Sequence, residues 1–339
     1  MNKYFTSVAI PELNLDIDFH SRLMFIGSCF ADSMGSKFED LKFSSLVNPF
    51  GVLYNPHSVA NGLSYALEAK QFCKADLFEQ HGLYKSFYFH SRFNDTQAER
   101  AVEKMNEAIR QTHKQLKQTD VLFITFGTAW TYQLADSKQV VANCHKHPSS
   151  TFIRKRLTVT EIVSLWNDML SELHTFNPKL RIVFTVSPIR HWKDGAHGNQ
   201  LSKSTLLLAV DELLSIHDYI RYFPSYEVVM DELRDYRFYA DDMLHLSDLA
   251  VNHIWQLVQT HLIAPECHTS LQQIKKLNSA VQHRMFNALS SEALKFATSN
   301  LKLIKQLEQK YKTLDFSSEK NYFEHMITNR SEKKSDNKI

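Results

Sequence analysis

The pattern of apolar and polar positions divides most of the chain into short apolar runs separated by longer amphipathic stretches. Runs with strand character occupy residues 23–26, 121–126, 181–186 and 227–230, with a weaker run at 43–47. Stretches with apolar residues at three- and four-residue intervals, typical of amphipathic helices, cover residues 30–41, 57–69, 96–117, 159–176 and 202–220. Strands that alternate with helices predict βαβ units and a parallel sheet with helices on both of its faces.

The C-terminal part of the chain has a different pattern. Ser247 is predicted to be the N-cap of a helix that runs to about residue 263, and residues 270–314 then form two amphipathic segments without a strand. The residues from 315 onward are strongly charged. The sequence therefore predicts an α/β domain over 20–262, a C-terminal helical extension over 265–314 and a disordered charged tail over 315–339.

Composition narrows the class of protein. The 339 residues are 43% hydrophobic, and 39 basic residues against 37 acidic ones leave a net charge of +2, which gives no reason to expect nucleic acid as a partner. The N-terminal residues contain no apolar core of a signal peptide, and no apolar run is long enough to span a membrane. The four cysteines are scattered, so a reducing, cytoplasmic compartment is expected. The oligomeric state stays open.

The first strand is followed by a nucleophile-bearing turn, Gly27-Ser28-Cys29. In parallel α/β sheets, ligands bind at the carboxyl ends of the strands. A helix that begins there offers backbone N–H groups and the positive end of its dipole to a thiolate or an oxyanion. If Cys29 is the nucleophile, we therefore expect this position, beside His245, to depress its pKa. The alternative for Cys29 is a small buried hydrophobe at a strand end.

A carboxylate and an imidazole stand three residues apart in the polar loop that contains Asp242 and His245. A Ser or Cys nucleophile needs a base, and the base needs an orienting acid, so we expect His245 within hydrogen-bond reach of Cys29 or Ser28, with Asp242 behind it. The alternative is a surface histidine, since the chain has seventeen.

Other polar loops follow the later strands. Arg190 and Lys193 suit a carboxylate or phosphate of the substrate, and Trp130 could stack on a sugar ring or simply pack on the core. The Cys144-His145-x-His147 spacing fits neither a zinc finger nor a His-Glu-x-x-His motif, so we predict no metal and no cofactor. The predicted substrate-binding residues are Trp130, His145, Arg190, His191 and Lys193.

Together these motifs resemble a known family. Residues 27–31, Gly-Ser-Cys-Phe-Ala, are the signature of the GSCFA family, which is itself similar to the SGNH (GDSL-like) hydrolases. Similar blocks lie at residues 48–51, 126–130, 143–146, 186–191, 193–195, 222–227 and 235–239. The resemblance spans about residues 20–260. It implies a three-layer α/β/α, flavodoxin-like fold and the hydrolysis or transfer of esters, and it does not define the substrate.

The chain departs from the SGNH pattern in two places. SGNH enzymes read Gly-Asp-Ser at the first block, so an alignment without gaps places Cys29 under the nucleophile, whereas a shift by one residue would restore Ser28. At the third block, Ala129 stands where the superfamily has the asparagine of the oxyanion hole. Replacement donors are sought among the backbone N–H of Cys29 and the following candidates: Asn48, Gly51, Gly127, Thr128 and Asn143.

The sequence thus predicts an esterase that acts on a small-molecule or glycan ester through Cys29 (or Ser28), His245 and Asp242. An acyltransferase that uses acyl-CoA or another activated donor is the first alternative. A non-catalytic binding module with a decayed site is the second. Gly51, Gly127, Asn143 and Arg190 are expected to converge on the pocket that holds Cys29, because each lies near the end of a predicted strand.

Overall fold

The computed structural model describes residues 6–283 and 290–336. Its strands are β1 Arg22–Gly27, β2 Ser44–Val47, β3 Phe78–Gln80, β4 Leu83–Lys85, β5 Val121–Phe126, β6 Trp130–Leu134, β7 Val140–Val141, β8 Phe152–Arg156, β9 Arg181–Val186 and β10 Ile220–Tyr222. Its helices are α1 Cys29–Asp40, α2 Pro56–Leu67, α3 Ala98–Leu116, α4 Val159–Phe176, α5 Gly195–Ile216, α6 Ser225–Glu227, α7 Asp248–Leu262, α8 His268–Gln282, α9 Ser291–Lys310 and α10 Ser317–Asp336.

The central sheet has five strands in the order β2-β1-β5-β9-β10, and the pairs β1–β5, β5–β9 and β9–β10 are parallel. Counted along the chain, this order is 2-1-3-4-5, that of flavodoxin-like doubly wound sheets, with its switch point between β1 and β5. Helices flank the sheet. The predicted α/β class, parallel sheet and C-terminal helices are confirmed.

The core explains why the apolar runs form the inner strands. Every residue of β5 is buried, and all but the first residue of β1 and of β9 are buried too. A strand covered on both faces reads as a continuous apolar run, which is how these three appear in the sequence. The described residues contain no helix that is both long and apolar enough to cross a membrane.

One predicted strand is wrong. Residues 227–230 lie in a helical segment, in which α6 continues into a π-helical turn over Val228–Glu232. The fifth strand is instead β10, Ile220–Tyr222, within and just beyond the region predicted as a helix. A run with only three apolar residues, Val228 to Met230, cannot distinguish a buried strand from a buried helical turn.

Two small antiparallel sheets were not predicted. β3 pairs with β4, and β6 pairs with both β7 and β8. Their strands are two to five residues long, too short to produce a clear alternating pattern.

The chain separates into two compact units. The first consists of the described parts of residues 1–15, 22–36 and 45–261, and the second of residues 16–21, 37–44 and 262–339. In the second unit, the tail predicted as disordered contains α10, in which Phe323 is fully buried and its ring lies 6.0 Å from that of Phe296 in α9. Buried aromatic side chains explain why this charged segment folds. Residues 284–289 of the predicted helical extension and 337–339 of the tail lie outside the described residues.

Candidate active site

The turn after β1 depends on Gly27. Its φ is +136°, and a Cβ atom there would lie 2.1 Å from the carbonyl oxygen of Thr125 in β5. The next residue, Ser28, donates its backbone N–H to the same oxygen at 3.1 Å. Only glycine permits this backbone geometry and this close approach between neighbouring strands. The chain therefore leaves β1 sharply and enters α1 at Cys29.

Asn48 fixes this turn from the loop after β2. It is 1% exposed, its Oδ1 accepts the N–H of Gly27 at 2.8 Å, and its Nδ2 donates to Asp32 at 2.6 Å. Both polar atoms of the side chain are therefore engaged. Asn48 thus holds the turn that carries Ser28 and Cys29, and because its amide has a second N–H, its role as an oxyanion donor stays a prediction.

Ser28 and Cys29 differ in accessibility. Ser28 is 1% exposed, and its Oγ accepts the backbone N–H of Phe30 at 3.3 Å, the geometry of a helix N-cap. Cys29 is half-buried, so part of this residue is accessible to solvent. A serine at position 28 is therefore accounted for by its N-cap hydrogen bond. Cys29 is the better candidate nucleophile.

The expected depression of the Cys29 pKa is wrong. Burial raises the pKa of the Cys29 thiol, and the carboxylate of Asp32 raises it further. The backbone N–H groups of Cys29 and Phe30, together with the cation of Lys203, lower it but do not offset burial. The thiol is therefore protonated near neutral pH, and its reaction requires a group that accepts the proton.

Asp242 and His245 form a hydrogen-bonded pair. Nδ1 of His245 lies 2.5 Å from Oδ2 of Asp242, and Oδ1 of Asp242 accepts the backbone N–H of both Leu244 and His245 at 2.9 Å. The hydrogen bond from His245 is the main reason that the pKa of Asp242 falls to about 2. The carboxylate thus orients the imidazole and leaves its Nε2 available. Among the hydrogen bonds of the described chain, none joins His245 to Ser28 or Cys29.

A cavity of about 500 Å³ lies beside this pair. Asp242 lines it together with Arg190, from the loop after β9. The other lining residues are Trp192, Val229, Met230, Arg234, Asp235, Tyr236, Tyr239, Met243 and Leu244. Nη2 of Arg190 contacts the sulfur of Met230 at 3.1 Å, and its buried Nε has no hydrogen-bond partner in the described part of the chain. The cavity combines aromatic rings with a guanidinium that has no carboxylate partner among the described residues.

The predicted oxyanion donors are mostly engaged elsewhere. The N–H of Gly51 donates to the carbonyl of Asn48 at 2.8 Å. Those of Gly127 and Thr128 both donate to the carbonyl of Tyr54, at 2.7 and 2.9 Å. Cys29 is the first residue of α1, so its own N–H has no acceptor inside the helix. The backbone N–H of Cys29 is therefore a candidate oxyanion donor at this turn.

The predicted pocket residues converge only in part. A Cβ added to Gly127 would lie 3.4 Å from Cβ of Ser28, so Gly127 adjoins the nucleophile turn. Arg190 lies with Asp242 in the cavity. The Oδ1 of Asn143 accepts the N–H of His145, in a loop that packs against the β3–β4 hairpin.

His145 does not have the substrate-binding role predicted for it. It is 6% exposed, its Nε2 lies 2.8 Å from the carbonyl oxygen of Ser86, and its ring packs edge-on against Phe78. Burial lowers its pKa, so the ring is neutral near pH 7. In the part of the chain that the structure describes, no three His, Cys, Asp or Glu side chains are grouped so as to hold a metal ion.

Trp130 also has a packing role. The guanidinium of Arg154 stacks on its ring at 4.3 Å, and Arg154 forms an ion pair with the fully buried carboxylate of Asp194. Lys193 donates to the phenolic oxygen of Tyr132 at 2.7 Å. These contacts account for Trp130 and Lys193 without a substrate.

His191 lies closer to the nucleophile turn. Its ring centroid is 6.3 Å from that of Tyr54, whose phenol interacts electrostatically with Cys29. Burial, followed by the charges of Arg154, Lys203 and Lys193, lowers the pKa of His191. His191 is therefore a neutral imidazole near neutral pH, suited to hydrogen bonding with a substrate.

Two neighbours of Cys29, Tyr54 and Lys203, were not among the predicted site residues. Lys203 had a detectable signal, because it occupies the same apolar stripe of α5 as Leu206 and Val210, where a lysine is unusual. Tyr54 had none, since its position depends on the path of the loop between β2 and α2.

Comparison with known proteins identifies the family of this chain. The GSCFA family model matches residues 22–257, more than half of the chain, and the model of the GSCFA domain protein, C-terminal domain, matches residues 274–329. No curated protein matches the chain. Among solved structures, the chain is similar to an acetyl xylan esterase, Est2A, from the rumen bacterium Butyrivibrio proteoclasticus, with a TM-score of 0.37 and 12% identity. That match covers 73% of this chain and 65% of the esterase, less than two thirds of its length. The chain belongs to the GSCFA family.

Proposed function

We propose that this protein is an ester hydrolase in which Cys29 is the nucleophile, His245 the general base and acid, and Asp242 the residue that orients His245. The observation that carries the proposal is the hydrogen-bonded Asp242–His245 pair, whose carboxylate lines the cavity that Arg190 enters from the end of β9. The neutral thiol of Cys29 needs such a base, because burial raises its pKa.

The proposed reaction has two halves. In the first, His245 takes the thiol proton, the sulfur attacks the ester carbonyl, and the oxyanion forms beside the N-terminus of α1, where Cys29 contributes its backbone N–H. The intermediate collapses to a thioester on Cys29, and His245 returns the proton to the departing alcohol. In the second half, His245 activates a water that hydrolyses the thioester and releases the acid.

The cavity supports a small-molecule or glycan ester as substrate. Trp192 and Tyr236 are 52% and 78% exposed on its wall, and aromatic faces of this kind suit the stacking of sugar rings. Arg190 offers N–H donors to the hydroxyl or carboxylate oxygens of such a substrate.

The experiment compares hydrolysis of small aryl acetates by the wild type, Cys29→Ala and Ser28→Ala. Cys29→Ala should abolish turnover, and mass spectrometry of the quenched wild type should find the acyl group on the peptide that contains Cys29. Ser28→Ala should be milder, because Ser28 contributes an N-cap hydrogen bond. An inactive Ser28→Ala beside a nearly normal Cys29→Ala would assign the nucleophile to Ser28.

An acyltransferase is the second candidate, and the arginines favour it. Arg190 and Arg234 both line the cavity, and in the described chain neither forms an ion pair with a carboxylate. Two such cations suit the phosphates of an acyl-CoA donor. Thioester formation on Cys29 from acyl-CoA, faster than from aryl acetates and lost in Arg190→Gln, would favour transfer. Glycan binding without any acylation of Cys29 would identify a binding module.

A further inference from the structure

Lys203 lies in the interior of the α/β unit, next to the turn that carries Cys29. It projects from α5, is 0% exposed, and donates to the carbonyl oxygens of Gly127 and Ser187 at 2.7 and 2.6 Å. These two residues directly follow β5 and β9, and Gly127 adjoins Ser28. The amine thus ties together the two loops beside the nucleophile turn.

The hydrogen bonds of Lys203 suit a neutral amine as well as a cation. An ammonium group has three N–H donors, and only two acceptors are present for Lys203 in the described structure. The ring of Tyr226, 5.8 Å from Nζ, is a weak partner for a charge. A neutral amine, by contrast, has two N–H groups for the two carbonyls. Burial lowers the pKa of Lys203 to about 7, which is consistent with this geometry.

The charged and titratable groups around the pair are few. The charge of Asp32 raises the pKa of Cys29, and the Cys29 thiolate in turn raises the pKa of Tyr54. The charge of Arg190 lowers the pKa of Lys203. The charge of Lys203 lowers the pKa of His191, which lies in the loop after β9. Of these groups, only Lys203 lowers the energy of the Cys29 thiolate.

We propose that Lys203 is a positioning residue for Cys29: it fixes the loops after β5 and β9 and, while it is protonated, favours the thiolate form of Cys29. The inference deepens the proposed function and rests on it for the role of Cys29 in catalysis. The effect on the thiol itself can be measured without any ester substrate.

The coupling has a specific pH dependence. While Lys203 carries its proton, its charge stabilises the thiolate, so the fraction of thiolate exceeds that of a variant without the amine. As the pH rises through about 7, Lys203 loses its charge and this excess disappears. The benefit of Lys203 should therefore be largest at pH 6 and absent near pH 9.

The test is the rate of alkylation by iodoacetamide, measured for each cysteine by peptide mass spectrometry between pH 6 and pH 9. In Lys203→Met, Cys29 should react more slowly than in the wild type at pH 6, because the thiolate loses the charge of Lys203 that favours it. The two proteins should react at equal rates near pH 9. A rate ratio that is constant across this range would show a merely structural role and overturn the proposal.

Lys193→Met is the matched control. Lys193 is exposed, and its charge lowers the pKa of Cys144 rather than that of Cys29. Lys193→Met should lower the alkylation rate of Cys144 and leave that of Cys29 unchanged. A loss of Cys29 reactivity in Lys193→Met equal to that in Lys203→Met would also overturn the proposal.

The wild type alone provides a second test if Lys203→Met does not fold. Because the thiolate loses a stabilising charge near pH 7, the logarithm of the Cys29 alkylation rate should flatten there before it rises again. A straight rise of tenfold per pH unit through this region would contradict the coupling. Thioester formation on Cys29 tests the proposed function separately.

Discussion

At the residue scale, Gly27 has the least tolerance for change. Gly27→Ala would place a methyl group 2.1 Å from a backbone oxygen of β5 at a φ of +136°. We expect it to lower the free energy of unfolding by about 3 kcal/mol or more, since both strain and overlap oppose the variant. Gly82→Ala is the control, because its φ is +70° and nothing lies within 4 Å. It should cost only about 1 kcal/mol in urea denaturation. Equal losses would show that overlap with β5 is unimportant.

Substitution of the Asp242–His245 pair should affect catalysis without affecting stability. Both side chains are about half exposed, so their contact should contribute little to folding. Asp242→Asn removes the carboxylate that orients His245 and should reduce kcat on aryl acetates about 100-fold or more, with an unchanged melting temperature. Asp241→Asn, one residue away and also exposed, should retain full activity. Equal activity of both variants would remove Asp242 from the mechanism.

Local sequence patterns predicted individual residues unevenly. The turn Gly27-Ser28-Cys29 was predictable because a strand, a turn and a helix leave a local signature in residues 23–41. The hydrogen bonds that Asn48 and Gly51 form could not be predicted, because they depend on the path of the loop after β2. The predicted direction of the Cys29 pKa shift was wrong for a similar reason. Burial depends on the tertiary structure, and its effect on the pKa outweighed that of the helix N-terminus.

At the scale of elements, a buried ion pair links β8 to the loop before α5. The carboxylate of Asp194 is fully buried beside Arg154. Arg154→Met would leave that charge without its cation and should cost about 3–5 kcal/mol of unfolding free energy. The double variant Arg154→Met/Asp194→Leu should recover much of this loss, because no buried charge remains. A double-mutant cycle in urea measures the coupling, and additive losses would contradict it.

Element prediction succeeded where the pattern was long. β5 and β9 are predicted to the residue because most of their six residues are apolar and are buried between the layers. The three residues of β10 carry too little pattern, and the apolar residues 228–230 on the neighbouring π-helical turn resembled a strand more closely. In the tail, the buried side chains of Phe316, just before α10, and Phe323, within it, outweighed a charged composition that suggested disorder.

At the scale of the whole molecule, Lys203 should make stability depend on pH. Its pKa is about 7 in the folded chain, against an ordinary value of 10.5. Below pH 7 both states are protonated, and the folded state bears the full cost of the buried charge. Between pH 7 and 10.5 the unfolded chain binds a proton that the folded chain does not, so stability rises by about 1.4 kcal/mol per pH unit.

Urea unfolding at pH 7 and pH 9 measures this effect. Trp130, Trp166, Trp192 and Trp255 all lie in the α/β unit, so tryptophan fluorescence reports its unfolding. Between these pH values the wild type should gain roughly 2–3 kcal/mol relative to Lys203→Met, because the comparison cancels the other titrating groups. If the two proteins instead change in parallel, Lys203 is protonated throughout this range, and its buried ammonium must be stabilised by more than the carbonyls of Gly127 and Ser187.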